Sequence, residues 1–237
     1  MNLLLCHIFD EDSIWLYLEL RKLNVDIIML APEQIFMAQE WTQMIETGFD
    51  DFTLTVKDGP TFRYGDISFI FNRIQFVDPP LWKLSSKKDR DYVQSELTAF
   101  LMSWLFQIGR QSLVVNPPVE HSLCGVSWPP ELWAKAAYDS GFLDVEMNSS
   151  SAIHNTILVA KGMCMGGVLN RELEEKCFEL SRVSQSPLLE IYLGKDNDTF
   201  IGATAVPLFR NYGKPFVDRI YTLVKGAEND SVMRDTE

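Results

Sequence analysis

Residues 3–32 read LLLCHIFDEDSIWLYLELRKLNVDIIMLAP, and the order of apolar and polar positions there decides the fold class. LLLCHIF (3–9) is a continuous apolar run, the pattern of a strand buried on both faces of a parallel sheet. Asp12 or Ser13 can cap the helix that follows, IWLYLELRKLN, with Ile14, Leu18 and Leu20 among its apolar positions and Asn24 closing it. VDIIMLAP (25–32) is a second buried strand, stopped by Pro32. The unit is β-α-β, with a right-handed crossover expected. The chain therefore reads as α/β with a Rossmann-like start. Its first turn, FDEDS, has no glycine. Backbone cannot come close to a pyrophosphate there, which disfavours a dinucleotide site.

Working outward, FTLTV (52–56) and TFRY (61–64) flank Asp58-Gly59 as a hairpin. ISFIF is a further buried strand, ending at Asn72-Arg73. After Pro79-Pro80, Ser86 or Asp89 opens a long helix with a wide apolar face: Tyr92, Val93, Leu97, Phe100, Leu101, Trp104, Leu105 and Ile108. SLVVNPP (112–118) is a short strand, and Pro129-Pro130 opens a helix closed by Gly141. Composition changes across the polar seam MNSSSAIHN (147–155). Beyond it come strand 156–162, a glycine turn in GMCMGG, helix 171–185, strands LLEIYLG (188–194) and TFIGATAV (199–206), and helix 214–226. This divides the chain into residues 1–146, residues 156–226 and an acidic tail, 227–237, expected to fray.

The 237 residues carry a net charge of −12, with 46% apolar and 23% charged residues. So acidic a chain repels phosphate backbones, which argues against nucleic acid as a partner and favours basic peptides or proteins. Cys6, Cys124, Cys164 and Cys177 form no CxxC pair, and the three histidines are scattered, so zinc spacing is absent. No run reaches the roughly 18 apolar residues of a membrane span. The start MNLLLCHIFDEDS lacks a basic, signal-like segment. A cytoplasmic protein is expected.

NRIQFVDPP, then DRDYVQSELTAFLMSWLFQIG, then VVNPP, resemble the pre-ATP-grasp region of peptide-modifying ATP-grasp ligases of the RimK and microviridin-ligase type. Arg73, Glu96 and Asn116 take the places of that family's aromatic-arginine strand end, helix glutamate and "VNPP" strand. TILVAKG, the glycine turn, helix 171–185, LLEIYLG, TFIGATAVP and NYGKPFVDRI resemble its closing segment. The implied fold is a pre-ATP-grasp-like α/β domain plus an α+β part like the end of an ATP-grasp domain.

The resemblance also marks departures. It implies carboxylates and an asparagine presented to magnesium, which takes hard oxygen ligands. Glu190 in LLEIYLG can be the first, but the E-x-N expected ahead of Pro207 falls on Gly202 and Thr204. A nucleotide-binding lobe with a phosphate lysine is implied between helix 129–142 and strand 156–162, where only LDVEMNSSSAIHN stands. The expectation is a degenerate relative without catalytic residue, metal set or cofactor. It would act as a binding or accessory subunit for a peptide or an active ligase, as a homodimer or hetero-complex. The alternative is a small carboxylate–amine ligase completed by a second chain, or a binder of a small anionic ligand.

Candidate ligand-binding residues are Arg73, Glu96, Asn116, Glu190, Thr204 and Arg210. Arg73 and Glu96 read either as a substrate-reading pair or as an ion pair tying strand to helix. Glu190 reads as a surviving ligand or as a strand carboxylate facing solvent or Arg210. GMCMGG reads as a phosphate nest or as a turn between strands. Trp82, Trp128 and Trp133 read as core or as a partner-binding patch.

Overall fold

A computed structural model describes residues 1–46, 49–78, 86–146 and 153–234. The chain divides into two compact units, 1–118 with 221–237, and 119–220.

In the first unit, β1 (Asn2–Leu5), β2 (Ile27–Leu30), β6 (Phe69–Asn72) and β7 (Leu113–Val115) form a parallel sheet in the order β2-β1-β6-β7. The apolar runs have the expected cause: β1 and β6 are buried at every position. Helix α1 (Glu11–Lys22) connects β1 to β2. Its cap is Asp10, not Asp12 or Ser13: the Ser13 backbone N–H donates to Asp10 Oδ1 at 3.1 Å. Its buried stripe is Ser13, Leu16 and Leu20, and Leu18 is exposed. Pro32 ends the second strand's run and opens α2 (Pro32–Phe36).

The Asp58-Gly59 hairpin joins β4 (Phe49–Thr55) to β5 (Thr61–Arg63) as expected. A further strand, β3 (Glu40–Glu46), pairs with β4. It was not anticipated, since its alternation places only Trp41 and Gln43 inward among polar neighbours. Trp41 packs against Phe100 and Trp104 of α3 (Lys87–Ile108). Ser86 caps α3, accepting from the Asp89 N–H. The apolar face of α3 is narrower than its spacing implies. Leu101, Trp104, Leu105 and Ile108 are buried, whereas Tyr92 and Val93 are exposed.

The second unit is built on a sheet ordered β10-β9-β11-β12-β8, from β8 (Asp144–Val145), β9 (Asn155–Ala160), β10 (Cys164–Met165), β11 (Leu188–Leu193) and β12 (Thr199–Thr204). Helices α4 (Pro130–Asp139) and α5 (Arg171–Val183) cover one face. The core there joins Trp133, Ala136 and Ala137 of α4 and Leu173, Cys177 and Leu180 of α5 to Ile157, Val159, Leu189, Ile191 and Leu193 of the sheet. This packing corrects the division expected at the 147–155 seam. Helix α4 belongs with the second unit because its apolar side is buried on that unit's sheet. Most of the seam, like Pro79, Pro80 and Trp82, lies outside the described residues. Trp133 is core, and Trp128 packs beside it at 5.0 Å between ring centroids.

Helix α6 (Gly213–Arg234) starts in the second unit and ends in the first. The expected frayed tail is thus largely helical, and the reason is visible in its contacts. Asn2 Nδ2 donates to Glu228 Oε1 at 2.8 Å, Ser68 Oγ bonds Ser231 Oγ at 3.1 Å, and Ala227 is buried. Among the described residues no helix is long and apolar enough to cross a membrane.

A chain ending at Gly226 should therefore lose about 1–3 kcal/mol, from the two hydrogen bonds and the buried methyl. Urea denaturation checks this; unchanged stability would show that these contacts contribute nothing.

Candidate functional site

The candidate residues fall in both units. Arg73 and Asn116 stand at the carboxyl edge of the parallel sheet, where strand order reverses between β1 and β6. Arg73 is 3% exposed. Its Nε donates to Asp10 Oδ2 at 3.0 Å, and its backbone N–H donates to the Leu5 carbonyl at 2.7 Å. The expected partner was Glu96, which is instead exposed, because the first turns of α3 lie above the part of the helix that packs. Asn116 is buried, and its carbonyl accepts from Asn72 Nδ2 at 2.9 Å. Its φ of 56° suits an asparagine ending a strand. Both residues knit strand ends together.

Asp10 is the residue here that sequence reading passed over. Burial alone would raise its pKa, but the Arg73 hydrogen bond and charge, with the Ser13 donors, outweigh burial and hold it below the ordinary carboxylate value. A carboxyl depressed in the folded state stabilises above its unfolded pKa, near 4, and that contribution is lost as pH falls through the folded value.

In the second unit, the face opposite α4 and α5 carries Glu190, which is 4% exposed. Alternation fixes this: Leu189 and Ile191 point into the helix-covered core, so Glu190 and Tyr192 point the other way. Register then sets the neighbours. Thr204 and Leu158 lie opposite Glu190, and Gly202 and Thr156 lie opposite Tyr192. The Tyr192 hydroxyl donates to Glu190 Oε2 at 2.8 Å, and the Tyr212 hydroxyl donates to Oε1 at 2.9 Å. Burial first, then Glu190, push both phenols well above their ordinary pKa, so they remain donors.

Tyr212 ends the 3₁₀ turn Phe209–Tyr212. Residues three apart align in such a turn, so Phe209 and Tyr212 face inward while Arg210 is exposed. Glu190 is accordingly met by tyrosines, not by solvent or Arg210. Thr204 sits beside the carboxylate in the sheet, and its Oγ1 accepts from the Val206 N–H at 3.1 Å.

The glycines of GMCMGG make room for this arrangement. Gly166 has φ +87°, and a Cβ there would lie 2.6 Å from the Tyr212 ring. Neither reading made from the sequence found this close approach of turn and ring. A cleft of about 380 Å³ opens here, lined by Thr156, Gly166, Gly167, Glu190, Tyr192, Leu208, Asn211 and Tyr212. Among the described residues that line it, the only charged group is the Glu190 carboxylate, and the other polar groups are neutral hydroxyls, an amide and backbone. Among the described residues no cluster of three or more His, Cys, Asp or Glu could hold a metal ion. The donor set at Glu190 does not fit the magnesium–nucleotide clamp that the resemblance implies. It offers a single carboxylate, already engaged at both oxygens.

Solved structures share this frame. The macrocyclase MdnC bound with precursor peptide MdnA, from Microcystis aeruginosa MRC, aligns with TM-score 0.72 at 10% identity over 95% of this chain and 99% of that one. The fold is ATP-grasp-like. The ATP-grasp ligase PsnB complexed with minimal precursor aligns with TM-score 0.65 at 9% identity, over 96% of this chain and 98% of that one. A Chryseobacterium gregarium RiPP-associated ATP-grasp ligase, in complex with ADP and a leader and core peptide, gives TM-score 0.64 at 12% identity over 100% and 97%. No family model and no curated protein matches the sequence.

Two variants test the geometry. Asp10→Asn removes the charge facing a buried guanidinium and should cost about 3 kcal/mol at neutral pH. The stability lost by the parent on acidification below about pH 4 should be correspondingly shallower in the variant, read by denaturation at stepped pH. Gly166→Ala forces the Tyr212 ring aside and adds strain at positive φ, for an expected loss of about 1–3 kcal/mol. A melt indistinguishable from the parent would mean that Tyr212 does not pack on this turn.

Proposed function

We propose that this chain is a non-catalytic ATP-grasp-like protein that binds a peptide, serving as an accessory to an active ligase. The observation that carries the reading is the state of Glu190. Its oxygens accept from Tyr192 and Tyr212, and the strand beside it offers Gly202 and Thr204 where a second acidic ligand would be needed. Phosphoryl transfer depends on positioning and on neutralising phosphate charge. A cleft whose one charge is negative does the opposite. Only residues 146–154 separate β8 from β9, a connection too short for the lobe that covers a nucleotide in the family this chain resembles.

Peptide is the favoured ligand on two grounds. The solved neighbours named above include complexes with precursor, leader and core peptides. The chain's net charge of −12 and the buried carboxylate both favour a basic segment over an anionic one.

Isothermal calorimetry of the whole chain tests both halves of this reading. Magnesium-ATP at millimolar concentration should give no saturable heat. A short lysine- and arginine-containing peptide should bind with an affinity that falls as salt is raised through the range where the Debye length drops below about 10 Å. A micromolar, magnesium-dependent constant for ATP would overturn the non-catalytic reading. Equal affinity for acidic and basic peptides would overturn the choice of ligand.

A further inference from the structure

In the first unit, β3 is an outer strand of the sheet ordered β3-β4-β5, and the ladder shows which backbone groups face its open edge. The Tyr64 N–H donates to the Phe52 carbonyl at 3.2 Å, and the Val56 N–H to the Pro60 carbonyl at 3.0 Å. Even-numbered residues of β4 therefore turn their backbone groups toward β5. Asp51, Thr53 and Thr55 turn theirs toward β3, where Met44, Thr42 and Glu40 stand opposite. It follows that the N–H and C=O groups of Trp41, Gln43 and Ile45 point away from the sheet. Among the described residues no backbone group pairs with them there. Edge strands are commonly guarded by a lysine, a proline or a bulge. EWTQMIE has neither lysine nor proline, and its register with β4 runs unbroken from Glu40 to Glu46.

The edge is also held in place and flanked by apolar surface. Gln107 of α3 is buried, and its Nε2 donates to the Met44 and Asp51 carbonyls at 2.8 and 3.1 Å, clamping both strands to the helix. Gln43 Nε2 donates to Ser103 Oγ of α3 at 3.0 Å. Ile45 and one stripe of α3, including Ala99, Met102 and Phe106, line a groove of about 410 Å³. Ile45 is 57% exposed and Phe106 is 51% exposed, so this apolar surface is open to solvent. Trp41, Gln43 and Ile45 turn their side chains toward α3, and by alternation Glu40, Thr42, Met44 and Glu46 occupy the other, exposed face.

We propose that the open edge of β3 is a strand-addition site for an extended peptide segment in which apolar and basic residues alternate. An antiparallel strand added there hydrogen-bonds Trp41, Gln43 and Ile45 through every second residue. Those residues set their side chains over the groove and are apolar. The intervening ones share the outer face with Glu40 and Glu46, which a lysine or arginine complements. The net charge of −12 favours the same choice. A second copy of this chain fits less well. The antiparallel register that engages all three residues pairs Gln43 with Gln43 and sets Glu40 opposite Glu46 at both ends, like charge on like. This site lies in the first unit and stands whether or not the cleft beside Glu190 takes a peptide.

The test adds a blocked peptide of alternating lysine and valine, as long as β3, to the full chain and reads calorimetry and amide hydrogen exchange. Saturable binding is expected, with exchange at Trp41, Gln43 and Ile45 slowed about tenfold or more. Methylating the valine nitrogens of the peptide should abolish binding, because those N–H groups face β3. Methylating the lysine nitrogens should leave it intact, because those face solvent. Ile45→Pro removes one outward N–H and no bond to β4, and should weaken binding. The methylated peptides decide even if that variant fails to fold. Absence of binding, or equal loss from both methylation patterns, overturns the site. So does protection confined to the residues around Glu190, or a dimer of the free chain that Ile45→Pro abolishes.

Discussion

The arrangement of the second unit depends on one buried carboxylate. Glu190 sits in the middle strand of its sheet at 4% exposure, and a carboxylate taken that far from water needs donors. Tyr192 supplies one from the same strand face, and Tyr212 supplies the other from a turn after the last strand. Meeting this need shapes the surroundings. The 3₁₀ turn must aim Tyr212 inward, and the Gly166 turn must lack a side chain so that the ring can lie against it. Gly202 leaves Tyr192 ordinary van der Waals space across the strand pair. The 3₁₀ turn after β12 is therefore a support for one hydrogen-bonded group.

The frame of the molecule was legible because its signals are local. LLL (3–5), IIML (27–30) and FIF (69–71) are apolar without interruption, the pattern of a parallel strand buried on both faces. Asn24 at φ 58° and Gly141 at φ 92° end helices where they were read to end them. β3 was missed because EWTQMIE has no apolar run of its own; it is ordered by pairing with the adjacent β4 and by Trp41 meeting Phe100 of α3, far along the chain. The tail was misread for the same reason. AENDSVMR has little apolar surface, and its helix is held by Asn2 and Ser68, more than 160 residues away in sequence.

The site was half legible. Glu190 could be singled out as a carboxylate inside an apolar strand, and Tyr192 two residues on shares its face by simple alternation. That second signal was available and went unused. Tyr212 was not readable, since no periodicity links a turn after β12 to a residue in β11. Arg73 was recognised, but with the wrong partner. The helix spacing put Glu96 beside an apolar stripe, and only the packing shows that the stripe is buried from Leu101 onward. Asp10 passed as one of several acidic residues in FDEDS, although capping and pairing both fall to it.

Two phenols on a carboxylate differ physically from a metal on a carboxylate. A divalent cation brings charge that must be balanced, so it gathers several anionic or carbonyl oxygens about itself. Phenols bring no charge, occupy lone pairs, and leave the carboxylate's single negative charge in place. Tyr192 and Tyr212 therefore satisfy Glu190 without recruiting a second acid, which is consistent with Thr204, opposite Glu190, and Gly202, opposite Tyr192, both being neutral. Cation binding at such a site would require turning both rings away, when one of them is wedged on a glycine turn, and adding a second carboxylate beside the first. On this frame the acid of the central strand serves as an anchor for two tyrosines from separate elements. The cleft beside that anchor is lined by hydroxyls, an amide and glycine backbone.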